Sequence, residues 1–202
     1  GKNFRFGKDR AGDFDRLVAL GADLGFTARY EPLAGDDRGP WSSTRVRASL
    51  ASGDIADATH VLGRPHALSG TVVEGKRLGR TIGFPTANLA NVEEALVPNG
   101  VYAVTVDRLV GGRPIALARG ALSVGTNPTT DDDSGVKIEV FLFDFEGDLY
   151  GEELRVHIVE HLRPEARFDG LEALVEAMKE DVERARAVVE SHAADPRTGA
   201  YG

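Results

Sequence analysis

Residues 101–124 read VYAVTVDRLVGGRPIALARGALSV, and this stretch decides the fold class. Val101–Leu109 and Ile115–Val124 are rich in β-branched and apolar residues and follow the two-residue period of a strand. Between them Gly111-Gly112 is a turn pair of the kind that closes a tight β-hairpin. Working outward, Leu68–Glu74, Lys137–Phe145 and Glu153–Glu160 read as further strands, and Glu146-Gly147-Asp148 reads as another turn. Short strands separated by turn signals predict an antiparallel barrel or sandwich. Beyond them Leu171, Leu174, Val175, Met178, Val182, Ala185, Val188 and Val189 fall at helical spacing. They predict one long amphipathic helix packed against the strands. Residues 191–202 carry no pattern and are expected to form a disordered tail.

Upstream of Pro65 the period is that of helices. Asp13 is placed to cap a helix bearing Phe14, Leu17, Val18 and Leu20, and Thr27–Leu33 reads as a short strand. Ser42, Ser43 and Thr44 open a short helix through Leu50. Asp54 caps another that carries Ile55, Ala58, Val61 and Leu62 and stops at Gly63. Charge changes at the same place: residues 1–64 hold 10 basic and 9 acidic side chains, and residues 65–202 hold 14 and 23. The expected organisation is a partial α/β segment over 1–64, a barrel domain over 65–190 and the tail, with the junction at Leu62-Gly63-Arg64-Pro65.

The whole chain of 202 residues carries 24 Lys plus Arg against 32 Asp plus Glu, a net charge of −8. A basic footprint for nucleic acid is therefore absent. There is no cysteine, which excludes a disulfide framework, a thiolate metal site and a cysteine nucleophile. No run reaches the roughly 18 apolar residues of a membrane span, so no membrane partner is expected. With no targeting signal to read, the cytoplasm is the default location.

Chemistry concentrates in residues 75–88, GKRLGRTIGFPTAN. Gly75, Gly79 and Gly83, interleaved with Lys76, Arg77 and Arg80, let backbone N–H groups approach an anion closely. The spacing is not that of a Walker A loop, which needs four residues between its glycines and then Lys-Ser/Thr. Thr86 and Asn88 lie two apart, so in extended chain they face the same side and offer a hydroxyl and an amide oxygen to a hard cation such as Mg²⁺. A plain glycine-rich turn with a surface Thr and Asn accounts for these residues equally well. Glu139 shares a strand face with Phe141, Phe143 and Phe145, an environment that suits a general base; an acid at a strand end in water is the blander reading.

His157-Ile158-Val159-Glu160-His161 spells an inverted zinc-protease pattern. That motif needs a helix, and the alternation of Leu154, Val156 and Ile158 is strand-like, so both histidines are expected on the barrel surface. Ser43, Thr44 and Arg45 at a helix start could bind phosphate or simply cap the helix. Asp131-Asp132-Asp133 reads as an acidic loop that falls short of a calcium ligand set.

Taken together these residues resemble the bacterial bifunctional riboflavin kinase/FAD synthetase family. The most specific match is Gly83-Phe84-Pro85-Thr86-Ala87-Asn88 preceded by Gly79-Arg80. Leu62-Gly63-Arg64-Pro65, Gly100-Val101-Tyr102-Ala103, Pro128-Thr129, Glu139, Leu149-Tyr150-Gly151 and Leu162-Arg163-Pro164-Glu165 with Phe168 support it in order, to about Val189. The resemblance implies a mainly β fold, a six-stranded antiparallel Greek-key barrel with a long C-terminal helix, preceded by a partial α/β nucleotidyltransferase-like segment. It implies riboflavin kinase activity: ATP and riboflavin give ADP and FMN, with Mg²⁺ as the metal. By matching position Thr86 and Asn88 would hold the magnesium, and Glu139 would take the ribityl hydroxyl proton. Gly75, Gly79, Arg80, Gly83, Phe84, Pro85, Thr86 and Asn88 would bind ATP, and Arg163 and Thr129 would shape the flavin side.

One departure accompanies the match. The family's adenylyltransferase module opens with a His-x-Gly-His type motif, which these 202 residues do not contain. They retain Asn3-Phe4-Arg5-Phe6-Gly7, similar to a flavin-contacting segment, and Ser43, Thr44 and Arg45, similar to a phosphate site. FAD synthetase activity is therefore expected to be lost, and unpaired edges of a partial sheet leave weak self-association open. The competing readings are a barrel that binds flavin or nucleotide without turnover, and a scaffold for a protein or RNA partner.

Overall fold

The structure is a computed structural model that describes residues 4–75, 78–126 and 135–191, the side chains at 78 and 81 excepted. The chain forms two compact units, residues 1–43 and 44–202. The composition boundary at 62–65 thus falls inside the second unit.

In the first unit, a 3₁₀ turn at Lys8–Arg10 precedes α1 (Phe14–Leu24), and β1 (Gly35–Asp36) and β2 (Gly39–Pro40) form a minimal hairpin. Asp13 caps α1 as its sequence position suggests, accepting from the Arg16 backbone N–H at 3.0 Å. The expected strand over Thr27–Leu33 does not form: among the described residues no β-ladder includes it. Pro32 lacks a backbone donor, and among the described residues no neighbouring strand offers a ladder.

The second unit takes in α2 (Ser43–Ser52) from its second residue on and α3 (Ile55–Leu62), the latter capped by Asp54 and ended by Gly63 in a left-handed conformation. Six strands follow: β3 (His66–Val73), β4 (Thr86–Ala90), β5 (Gly100–Val110), β6 (Arg113–Thr126), β7 (Val136–Leu142) and β8 (Glu153–Pro164). A four-residue helix, α4 (Leu78–Thr81), lies between β3 and β4, and α5 (Leu171–Ser191) ends the described chain. The strands close into an antiparallel barrel in the order β3-β4-β7-β6-β5-β8. Because β4 pairs with β7 and not with β5, the path is a Greek key. The six-stranded antiparallel Greek-key barrel with a long C-terminal helix expected from the resemblance is the one observed.

Periodicity explains the interior. Leu68 and Val72, Val104 and Val106, Leu122 and Val124, Val140 and Leu142, and Leu154, Val156 and Ile158 point inward and are buried. Each such side chain contributes about 1.5–3 kcal/mol of transfer free energy. A second apolar layer, Ala103, Phe143 and Leu162, lies on the outer face beneath Ala185 and Val189 of α5. Leu171, expected on this apolar stripe, is instead exposed at the start of the helix. Register irregularities at Val101/Tyr102 and Ala103/Val104 re-aim β5 against β8 at the end where the site lies.

Two further expectations are corrected. The strand over Lys137–Phe145 stops at Leu142; beyond it Asp144 adopts φ 55°, and Phe145, half-buried, packs against the inner core. His157 is no surface residue: it is 3% exposed, with Nε2 2.9 Å from Asp107 Oδ2. It sits beside Thr105 and Ala67 across the strands, on β-structure against which α3 packs. β8 is a strand throughout, so the helical geometry that the zinc pattern needs is absent. Among the described residues no group of three or more metal-ligating side chains gathers. Thr129, Asp131-Asp132-Asp133 and residues 192–202 lie outside the described residues.

Candidate active site

The outward side chains of β4, β7 and β6 form the wall of a cavity of about 350 Å³ roofed by α5. On β4, Leu89 points into the core, so the alternation turns Thr86 and Asn88 outward. On β7, buried Ile138, Val140 and Leu142 alternate with outward Lys137, Glu139 and Phe141. The register sets Asn88 directly opposite Glu139 and Thr86 opposite Phe141. Across the other edge of β7, Ser123 of β6 stands opposite Glu139. Directly opposed residues hold their Cβ atoms about 4.5–5.5 Å apart. Amide, carboxylate and hydroxyl thus form one row across three strands, with a row of Thr86, Phe141 and Ala121 beside it.

Thr86, Asn88, Glu139 and Arg163 all line this cavity, as do Gly79 and Phe84. Phe84 packs edge-on against Phe141, ring centroids 5.4 Å apart. Of the expected aromatic row beside Glu139, Phe141 lines the cavity with it and Phe143 continues on the same outer face beneath α5, its ring 5.8 Å from that of Phe141 and covered by Arg186 at 4.5 Å, while Phe145 packs against the inner core.

The glycine-rich segment contains the short helix α4 and is pressed against β4. A Cβ on Gly75 would lie 2.6 Å from Asn88 Cγ and 2.7 Å from its Oδ1, so only glycine admits this approach. Gly79 backs onto the Phe84 carbonyl, and its Cβ position is 3.6 Å from Thr86 Oγ1. Arg80, Pro85 and Thr86 line a second cavity of about 430 Å³ together with Asp148, Leu149 and Tyr150. Thr86 is common to both cavities.

Arg163, at the end of β8, is held by Asp181 of α5: Nε donates at 2.8 Å and Nη2 at 2.7 Å. Its guanidinium lies 5.4 Å from the Phe168 ring centroid. Sequence reasoning found Arg163 but missed Asp181, which is buried within the stripe of α5 that should be apolar. A lone acid in such a stripe is the signal that could have marked it. Ser123, Lys137 and Met178 also line the cavity and carried no signal of their own.

Ser43, Thr44 and Arg45 are not brought into this cavity. Ser43 and Thr44 stand exposed on the first turn of α2, and Arg45 is turned onto Asp57, its Nε donating at 3.1 Å. Ser49 donates to the same carboxylate at 2.5 Å.

Hard oxygen donors at Thr86 and Asn88, beside a carboxylate and a close-packed glycine turn, fit Mg²⁺ that arrives on phosphate oxygens better than an all-protein cage. Fold and site together define a closed Greek-key barrel with a ligand-sized cavity on its outer wall. The Flavokinase family, described as riboflavin kinase, matches residues 62–189, and the chain belongs to that family. A bifunctional riboflavin kinase/FMN adenylyltransferase from Pseudomonas fluorescens is 41% identical over 188 residues, covering 93% of this chain and 59% of its own length. The protein of the same description from Escherichia coli K12 is 40% identical, covering 92% and 58%. The chain therefore spans just under three-fifths of these relatives. A solved structure described as a macrolide-efflux protein from Streptococcus pneumoniae shares the fold with TM-score 0.78 and 33% identity, over 92% of this chain and 58% of that one. Among the described residues no helix is long and apolar enough to cross a membrane.

Proposed function

We propose that this chain transfers the γ-phosphoryl group of ATP to the 5′-hydroxyl of riboflavin, with Glu139 as the base. The observation that carries the reading is the row in which Asn88 and Glu139 stand opposite one another on one cavity wall, with Thr86 two residues from Asn88. Thr86 lines both cavities, which supports placing one substrate on each side of it. The nucleotide takes the side of Arg80, Pro85 and Tyr150, and the flavin takes the side of Glu139, Phe141, Arg163 and α5. The first cavity, about 350 Å³ and lined largely by apolar groups, is of the size that holds small organic ligands.

In the reaction the ribityl oxygen forms a bond to the γ-phosphorus as the bond to the β,γ-bridging oxygen breaks. ADP leaves, and the hydroxyl proton passes to Glu139. Phosphoryl transfer depends chiefly on alignment and charge neutralisation, so the fixed wall and the glycine-rich turn carry most of the protein's contribution. Thr86 and Asn88 would hold Mg²⁺, which when bound neutralises phosphate charge. The backbone around Gly79 and Gly83, with Arg80, would bind the phosphates.

The 202 residues hold no His-x-Gly-His motif, so this polypeptide alone makes FMN and no FAD; Ser43, Thr44 and Arg45, which precede the matched residues 62–189, would belong to a phosphate site of an adenylyltransferase part. With riboflavin and ATP labelled at the γ-phosphorus, label is expected in the flavin product. Label that stays in ATP, or is released only as inorganic phosphate, would reject the kinase reading in favour of a barrel that binds without turnover.

A further inference from the structure

We propose that Asp181 is a positioning residue for the flavin half of the cavity, acting through Arg163; this rests on the function proposed above. The cavity wall opposite Glu139 is assembled from three separate segments: the end of β8, the turn through Phe168, and the α5 stripe of Leu174, Met178, Asp181 and Val182. Arg163 touches all three. It belongs to β8, its guanidinium covers Phe168 at 5.4 Å, and its Nε and Nη2 form a fork onto Asp181 at 2.8 and 2.7 Å. Nη1 donates to the Pro164 carbonyl at 3.1 Å, so the orientation of the group is fixed on two edges.

Docking of the helix does not require this pair. α5 is also fastened further along by Ala185 and Val189 in the outer apolar layer, by Arg184 donating to the Leu162 carbonyl at 2.7 Å, and by the fork of Arg186 on Asp144. Asp181 lies at the cavity end of those anchors and is 6% exposed. With both of its oxygens receiving one arginine in the cavity wall, this buried carboxylate sets how far Arg163, and Phe168 with it, stands from Glu139. A shift of about 1 Å in such a wall is enough to cost up to a hundredfold in a positioned reaction. An exposed surface pair would show nothing of the kind.

The test compares wild type, Asp181→Asn, Asp181→Glu and Arg163→Lys by riboflavin fluorescence titration without ATP, and by kcat and KM for riboflavin and for MgATP. Asp181→Asn and Arg163→Lys are expected to weaken riboflavin binding and raise its KM on the order of tenfold, with KM for MgATP unchanged. Asp181→Glu, which keeps the charge, should recover most of the loss. If Asp181→Asn does not fold, Arg163→Lys carries the same comparison. Riboflavin affinity equal to wild type in folded Asp181→Asn, or KM for both substrates rising together, overturns the proposal. A wild-type chain that forms no FMN would instead overturn the kinase reading itself.

Discussion

Gly75 approaches Asn88 so closely that a methyl group on it would displace the amide. The displaced atoms are the end of a movable side chain, so Gly75→Ala should cost little stability. Its effect should fall on turnover, because Asn88 is one of the two residues proposed to hold the metal. A loss of roughly 10–100-fold in kcat with an unchanged melting temperature is expected; wild-type kcat in a folded variant would remove Asn88 from that role. Glu139→Gln keeps the shape of the wall and removes the proposed base, and should lower kcat by roughly 10²–10⁴. That Thr86 and Asn88 face the same side was legible in their two-residue spacing, and that Glu139 faces with Phe141 in theirs. Asp181 and Ser123 were not, since each reaches the cavity through a register or a helix docking that no local pattern encodes.

Strands and caps follow local rules, and their predictions are local. Gly111 and Gly112 both adopt positive φ, 58° and 78°, and join Val110 to Arg113 across the β5–β6 hairpin. Gly111→Val should destabilise the domain by about 1–2 kcal/mol, the cost of forcing a side chain into the left-handed region. The urea midpoint measures it, with the circular dichroism of the folded state unchanged. This hairpin, the caps at Asp13 and Asp54 and most of α5 could be read from residue types alone. β4 could not be read as a strand from pattern, because its five residues turn only Leu89 fully into the core. Thr27–Leu33 has the extended composition but no ladder to join, and β7 ends three residues early because Asp144 leaves extended geometry.

At the scale of the whole molecule, buried imidazoles link stability to pH. Burial holds His157 below its ordinary value of 6.5, against the upward pull of Asp107. Burial does the same to His66, against the Ala95 carbonyl it contacts at 2.8 Å and the nearby Glu94. Both are therefore favoured as neutral rings in the folded chain, whereas the unfolded chain takes up protons near 6.5. Below that pH the unfolded state binds more protons, so the stability these sites contribute is complete above about 6.5 and is lost as pH falls beneath it. The carboxyls of Asp13 and Asp144 lie below their ordinary 3.8, held there by the Arg16 backbone N–H and by Arg186, and act only at more acid pH. A urea midpoint that falls between pH 7.5 and 5.5 is expected; a constant one would contradict this linkage. The barrel class was legible because half of each strand is apolar, but closure and strand order come from pairings far apart in the chain, as in Asn88 with Glu139.

The kinase reading is tested most sharply by a chromatographic time course of the 202-residue chain with riboflavin, ATP and Mg²⁺, run beside Glu139→Gln. FMN and ADP are expected to accumulate together, with no FAD, and FMN formation is expected to slow by roughly 10²–10⁴ in the variant. Equal rates from the two proteins would contradict the role of Glu139, and no FMN from a folded wild-type chain would contradict the function.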